Sequence, residues 1–379
     1  MQKTVDAGKA KYIYMPVDDG KTGIEELKKE LLRNIEEPDS EPQWLTMYKD
    51  LSEFPVTIFF AEQFVRVNYV HLTLGLLRDS DIIMRELLQK NVPANSRYIL
   101  SFTSIIALHE MGFNVDECSA NLVISSSSLN EIEIKAEQMI SENSREHVAS
   151  MGVQDGQLFF AESSEEAKQA IMQSAVSIKA FARKFDIAEN DKDLQMTDDP
   201  QFDCKDFLGI CDYDTIAIAK EHNLTLVAFE AAISAFSGFS GIEVNTIGIA
   251  DFLAMTCNNP NRLVEYVQKM FELRFMFPFT SAMLEKLITL YVDLPEQEQQ
   301  ELALKWECAL KVAECDEKYK AIIAEHARSI FVQTYESIDT NNPIWKLFTQ
   351  YTLHYLGMKV QFYFSSDGKF GVEVVSSDD

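Results

Sequence analysis

The chain has 379 residues, 46% of them hydrophobic, so it is long enough to bury a sizeable core and is not a disordered protein. Sixty acidic side chains stand against 34 basic ones, which leaves a formal net charge of −26. A chain this acidic repels nucleic acid and anionic membranes on average, and no basic run provides a local exception.

The cysteines and the first residues bear on the compartment. Six cysteines are scattered along the chain without a C-x-x-C pair, which is typical of reduced thiols in an intracellular protein. The first residues lack an apolar stretch of signal-peptide length, and no segment approaches the length of a membrane span. We therefore expect a soluble, cytoplasmic protein with no membrane partner.

Residues 1–92 are predicted to form a mainly helical region after one short strand at Tyr12–Met15. A Gly-Lys-Thr follows that strand and precedes a helix, which is the order of a phosphate-binding loop. Met15, however, stands where such a loop needs its first glycine. We interpret the stretch as an Asp-Gly turn followed by a helix with a capping box at Thr22 and Glu25.

Residues 93–257 alternate between strands and helices. Strands are predicted at RYILSF, ANLVISS, LTLVAF and IEVNTI, and helices at TSIIALHEMGF, SLNEIEIKAEQMISEN, SSEEAKQAIMQSAVSIKAFARKF, DTIAIAKEH and IADFLAM. The third of these helices opens with a capping box from Ser163 to Glu166. Such alternation predicts an α/β fold with a parallel sheet that helices cover on both faces.

Residues 258–379 are predicted to return to long helices up to about residue 340. The chain then closes with KVQFYFSSDGKFGVEVV, where apolar residues alternate on both sides of a Ser-Asp-Gly turn. This pattern predicts a β-hairpin. Hydrolase motifs are missing, since the sequence contains neither G-x-S-x-G nor H-E-x-x-H.

Three pieces of the middle region carry a resemblance to a known family. They are YILSFTSIIALHEMG, LVISSSSLNEIEIKAEQ, and CDYDTIAIAKEHNLTLVAFEAAISAFSGFSGIEVNTIGIADFLA. In this order and spacing, Arg97–Met255 resembles the PIN domain, a nuclease-like parallel-sheet fold. The resemblance implies carboxylates at the carboxyl ends of several strands that hold one or two Mg²⁺ or Mn²⁺ ions. A bound ion would activate a water for cleavage of RNA.

The family pattern transfers only in part. Its first aspartate falls on Ser101 or Phe102, which is a departure at the residue most expected to bridge the metal. The remaining acids fall on Glu131, on Asp214 with Asp212 as an adjacent alternate, and on Phe229 or Glu230. The resemblance therefore implies Glu131, Asp212, Asp214 and Glu230 as metal ligands, with Glu131, Asp214 and Glu230 catalytic if the protein is active.

Each of these acids also has an ordinary structural explanation. Glu131 precedes Lys135 by four residues, as in an exposed helical ion pair. Asp212 or Asp214 is suited to cap a helix that begins near Thr215, and Glu230 is suited to a helix start.

Three functions follow, in order of preference. The first is a PIN-like protein with a degenerate or weakened acidic site, which serves binding or regulation through its helical flanks. The second is a Mg²⁺- or Mn²⁺-dependent endoribonuclease with RNA as its partner. The third is an acidic protein-interaction module that is unrelated to nucleic acid.

Overall fold

A computed structural model of the chain describes the following residues: 57–59, 97–145, 149–154, 157–191, 204–230, 232–233, 244–275, 279–313, 358–364 and 370–376. Nine strands lie in these ranges: β1 (Tyr98–Leu100), β2 (Leu122–Ser125), β3 (Ala149–Gln154), β4 (Gln157–Glu162), β5 (Asp186–Ala188), β6 (Thr225–Val227), β7 (Thr246–Ile247), β8 (Met358–Phe364) and β9 (Phe370–Ser376). Eight α-helices accompany them: α1 (Phe102–Glu110), α2 (Ser126–Asn143), α3 (Glu165–Ala182), α4 (Cys204–His222), α5 (Ile249–Thr256), α6 (Pro260–Glu272), α7 (Ser281–Val292) and α8 (Glu296–Ala313).

A five-stranded parallel sheet lies at the centre, with the strand order β5-β2-β1-β6-β7. Strand β1 is in the middle, where Tyr98 pairs with Leu122 of β2 and with Thr225 of β6. Parallel neighbours need crossover connections, which helices supply along this chain. The predicted α/β class with a parallel sheet and surrounding helices is confirmed.

Two apolar cores flank the sheet because successive strand residues point to opposite faces. Tyr98 and Leu100 of β1 belong to the larger core, which continues into α1–α3 and α5–α8. Ile99 belongs to the smaller core, where Ile216 and Ile218 of α4 cover the other face. The central strand is therefore buried on both sides, as its uniformly apolar sequence requires.

Serine residues end the two central strands and begin the helices that follow. Ser101 Oγ accepts a hydrogen bond from the Ser104 N–H, and Ser125 Oγ accepts one from the Ser128 N–H. These N-caps satisfy helical N–H groups that have no partner within the helix. Helix α3 is capped by Ser164 and not, as predicted, by Ser163.

Helix α4 is interrupted at Gly209, whose φ of 76° and ψ of 161° are not helical. Only glycine adopts such a positive φ without strain. A Cβ atom at this position would also lie 2.6 Å from Cδ2 of Phe59. The break thus redirects the chain and makes room for the Phe59 ring.

Helices α5–α8 extend the larger core. Trp306 of α8 is 1% exposed and packs edge-on against Phe279, while Phe252 of α5 packs against Tyr98 of the sheet. Buried Asp251 of α5 accepts a 2.6 Å hydrogen bond from Thr280, the N-cap of α7. This polar contact fixes α7 against α5 inside an apolar environment.

Two predictions of local structure were incomplete. The antiparallel pair β3–β4 and the edge strand β5 were not predicted, although β3 and β4 form six residue pairs. Strands β8 and β9 pair antiparallel, from the pair Met358 and Ser376 to the pair Phe364 and Phe370.

The helices and strand predicted for residues 1–92 lie outside the described residues, except at 57–59. The three domain boundaries stay predictions. No helix among the described residues has the length and apolarity to cross a membrane.

We expect Thr280→Val to lower the free energy of unfolding by about 2–4 kcal/mol, because it removes both a helix cap and a hydrogen bond to a buried carboxyl group. Thr280→Ser keeps the hydroxyl and should cost less than about 1 kcal/mol. Urea unfolding of the three proteins measures the difference. Equal losses for both variants would contradict a role for the hydroxyl.

Candidate functional site

The carboxyl end of the central strand is lined with hydroxyl groups. Ser101 Oγ shares a 2.7 Å hydrogen bond with Ser104 Oγ, which donates to the carbonyl of Val227 at 3.0 Å. On the β2 side, Thr215 Oγ1 lies 3.2 Å from Ser125 Oγ. Ser101 follows the last residue of β1 directly, so a hydroxyl stands where the resemblance implies an acid.

Asp212 is the first buried acid at this end of the sheet. It lies after the Gly209 break in α4, is 3% exposed, and accepts a 2.9 Å hydrogen bond from the Phe102 N–H at the start of α1. The bond joins residues 110 positions apart. The carboxyl group of Asp212 therefore contacts the main chain at the end of β1 and does not simply cap its own helix.

Glu230 is the second buried acid and is 0% exposed. Its Oε2 accepts a 2.6 Å hydrogen bond from the Ile58 N–H, which belongs to a segment far earlier in the chain. Its other oxygen, Oε1, accepts no hydrogen bond from the described residues, although the Thr103 hydroxyl is near enough to favour the charged form. An unpartnered buried oxygen makes ionisation of Glu230 unfavourable.

Burial raises the pKa of both acids. Desolvation raises the pKa of Asp212 to about 7, although the hydrogen bond from the Phe102 N–H lowers this pKa in part. Desolvation, and then the charge of Asp212, raise the pKa of Glu230 to about 8. Because two buried carboxylates this close repel each other, we expect the pair to retain at least one proton at neutral pH.

Cys211 is a buried thiol whose pKa is affected by Glu131 and Asp214 as well as by Asp212. Its thiol is buried and donates to the carbonyl of Ser127 at 3.6 Å. Burial raises the pKa of this thiol, and so do the charges of Asp212, Glu131 and Asp214, in that order. We expect the thiol of Cys211 to stay protonated and unreactive.

Glu131 and Asp214 are more exposed than the buried pair. Glu131 forms the predicted ion pair with Lys135, at 3.6 Å between Oε1 and Nζ. Asp214 Oδ1 accepts a 2.8 Å hydrogen bond from Asn190, which follows β5. Each carboxylate has a partner in the protein that a metal ion would have to displace.

Residues 57–59 pack against the site. Ile58 is 0% exposed and Thr57 is 2% exposed, while the Phe59 ring fills the space over Gly209. The Ile58 N–H occupies a position beside Glu230 that an incoming cation would need. We refer to Thr57–Phe59 as the covering segment.

Comparison with known proteins now adds to this geometry. Residues 99–237 match the model of a family described as the PIN domain associated with the TPR-GreAB-C-PIN system. The middle of this chain is a PIN-like domain. No curated protein and no solved structure gives a significant match.

The matched region ends before α5 and begins after the covering segment. Ile58 therefore reaches the PIN-like domain from outside the matched region, and it shares the larger core with α5–α8. The donor of this hydrogen bond is a main-chain N–H outside the matched region. The motifs of the PIN-like domain could therefore not predict it.

The described acidic residues of the PIN-like domain do not form a metal-binding group. PIN domains generally use Mg²⁺ or Mn²⁺. Among the described residues, however, no three His, Cys, Asp or Glu side chains come together as a group that could hold a metal ion. The two buried acids each accept a hydrogen bond from a main-chain N–H group. A cation that took the place of either N–H group would have to displace that part of the chain. The acids as they are placed therefore do not fit a divalent cation.

The free energy of unfolding of the wild type should fall between pH 5 and pH 8, and we expect Glu230→Gln to make this fall smaller. The pKa of Glu230 is raised in the folded state, so that state binds more protons than the unfolded chain across this window, and unfolding becomes easier as the pH rises. The free energy of unfolding of the variant should exceed that of wild type by on the order of 2 kcal/mol at pH 8 and by little at pH 5.

Melting temperatures across this pH range measure the effect. Glu285→Gln, at an exposed position on α7, is the matched control for loss of one acidic side chain. A difference between Glu230→Gln and wild type that did not change with pH would show that the buried carboxyl is already ionised at pH 5.

Proposed function

We propose that this protein is a PIN-like protein whose acidic site is degenerate and serves binding or regulation, not cleavage of RNA. One observation carries the proposal: the buried acids Asp212 and Glu230 bind main-chain N–H groups of Phe102 and Ile58 beneath the covering segment. Carboxylates used in this way stabilise the packing of the chain. They are closed to solvent and to a phosphodiester.

The position after β1 supports the same proposal. Ser101 is fully buried and its hydroxyl is engaged with Ser104, so it offers neither charge nor an open oxygen to a divalent cation. Mg²⁺ and Mn²⁺ sites in proteins are built mainly from carboxylate, carbonyl and water oxygens. Losing the first of these carboxylates should weaken metal affinity sharply.

A protein partner fits the surface better than RNA does. The net charge of −26 opposes a polyanion, and α7 and α8 expose Val292 at 52% and Leu304 at 61%. The matched family is described as part of a TPR-GreAB-C-PIN system, and we propose that this chain works in such a system through its helical regions. A cytoplasmic location belongs to the same proposal.

One observation favours the second candidate, a Mg²⁺- or Mn²⁺-dependent endoribonuclease. The charges of Asp212, Glu131 and Asp214 all raise the pKa of Cys211, and Glu230 Oε1 accepts no hydrogen bond from the described residues. If the covering segment moved away, Glu131, Asp214 and Glu230 would be the residues placed to act on RNA. The two candidates therefore differ in whether the site opens to metal.

Calorimetric titration with Mn²⁺ separates them. For a degenerate site we expect no binding at millimolar Mn²⁺, with the same titration curve for wild type and Asp214→Asn. We also expect no Mn²⁺-dependent cleavage of single-stranded RNA by either protein. The exposed variant Glu285→Gln controls for the loss of one surface charge.

Binding in the micromolar to low millimolar range, abolished by Asp214→Asn, would contradict the proposal. Cleavage that requires Mn²⁺ and is lost in the same variant would establish the endoribonuclease instead.

A further inference from the structure

A cavity lies between the turn that follows α1 and the end of α5, and acidic-site residues do not line it. Its volume is about 350 Å³, within the range of small-molecule pockets. Phe113 and Tyr266 contribute aromatic surface, and Asn114, Asn258 and Asn259 contribute amide groups. Its lining also includes two thiols, those of Cys118 and Cys257.

The two cysteines lie on chain segments that touch each other. Ser119 Oγ donates to the carbonyl of Thr256 at 3.4 Å, so the residues next to Cys118 and Cys257 are in direct contact. Both cysteines are partly exposed and neither forms a disulfide. By contrast, Cys211 is buried and Cys308 is exposed on α8.

The electrostatics of the pair agree with this proximity. Burial raises the pKa of Cys118 and of Cys257, and the charge of Cys118 raises the pKa of Cys257 further. This charge effect agrees with the contact between Ser119 and Thr256, the residues next to the two cysteines. Lys286 donates a 2.8 Å hydrogen bond to Asn258, and its positive charge lowers the pKa of Cys257. The thiols are therefore mainly protonated and slow to react at neutral pH.

We propose that Cys118 and Cys257 form a reversible disulfide by exchange with a low-molecular-weight disulfide such as oxidised glutathione. The thiolate of one cysteine attacks the glutathione disulfide and releases one glutathione thiolate, which leaves a mixed disulfide. The thiolate of the other cysteine then attacks the protein sulfur and releases the second glutathione thiolate. The two protons lost by the cysteines pass to the two released glutathione molecules.

This bond would join the region that matches the PIN family to the part of the chain that follows it. Cys118 lies inside the region that matches the PIN family, whereas Cys257 lies beyond it at the C-terminal end of α5. A disulfide here would fasten the PIN-like domain to the helices that follow. Transient disulfides of this kind occur in reducing compartments, and the proposal does not depend on the catalytic state of the acidic site.

The test is incubation of the full-length protein with excess oxidised glutathione at pH 8, followed by thiol counting and non-reducing peptide mapping. We expect a linked peptide pair that contains Cys118 and Cys257, with loss of both thiols and return of both on reduction. Cys118→Ser and Cys257→Ser should each retain one bound glutathione on the remaining cysteine. Cys308→Ser should form the same linked pair as wild type.

Circular dichroism establishes that each serine variant is folded, and the mapping of wild type does not depend on any variant. Glutathione bound separately to Cys118 and to Cys257 in wild type would overturn the proposal. So would pairing of either cysteine with a different one, or full retention of both thiols after equilibration.

Discussion

The carboxyl groups of Asp212 and Glu230 lie in the dry interior at the end of the sheet, where main-chain N–H groups of Phe102 and Ile58 hold them. Most of the surrounding structure serves that arrangement. The break at Gly209 brings Asp212 toward the start of α1 and admits the Phe59 ring. Because a buried carboxyl is costly without hydrogen bonds, the site constrains the central sheet and the covering segment to keep their positions together.

The sheet provides a rigid platform because it is packed on both faces. Each central strand places alternate residues in different cores, so a shift of one residue would exchange the two apolar sets. This locks the register of β1 between β2 and β6, and with it the positions of the residues that follow each strand. The continuation of the larger core through α5–α8 means that the PIN-like domain and these helices stabilise each other.

The periodicity of the sequence was sufficient to predict the fold class, the central strands and most of the helices, because these signals are local. The family resemblance brought Asp212 and Glu230 forward as candidates. The contact between Glu230 and Ile58 spans 172 positions and uses a main-chain donor, so no side-chain pattern could reveal it. The metal-ligand role of the acids was implied by family resemblance, which carries no information about which segment covers a site. The edge strand β5 is three residues long and partly exposed, too short to give a pattern.

The cap formed by Ser101 has a consequence for how such a site can change over time. Serine and aspartate are about equally good at the N-cap position, since either side chain accepts a hydrogen bond from an N–H in the first turn. Exchange of one for the other after β1 therefore alters the charge at the end of the strand while the start of α1 stays intact. Selection on folding and selection on charge are therefore separable at this position. A single replacement there can change the electrostatics at the end of the sheet and leave the architecture around it in place.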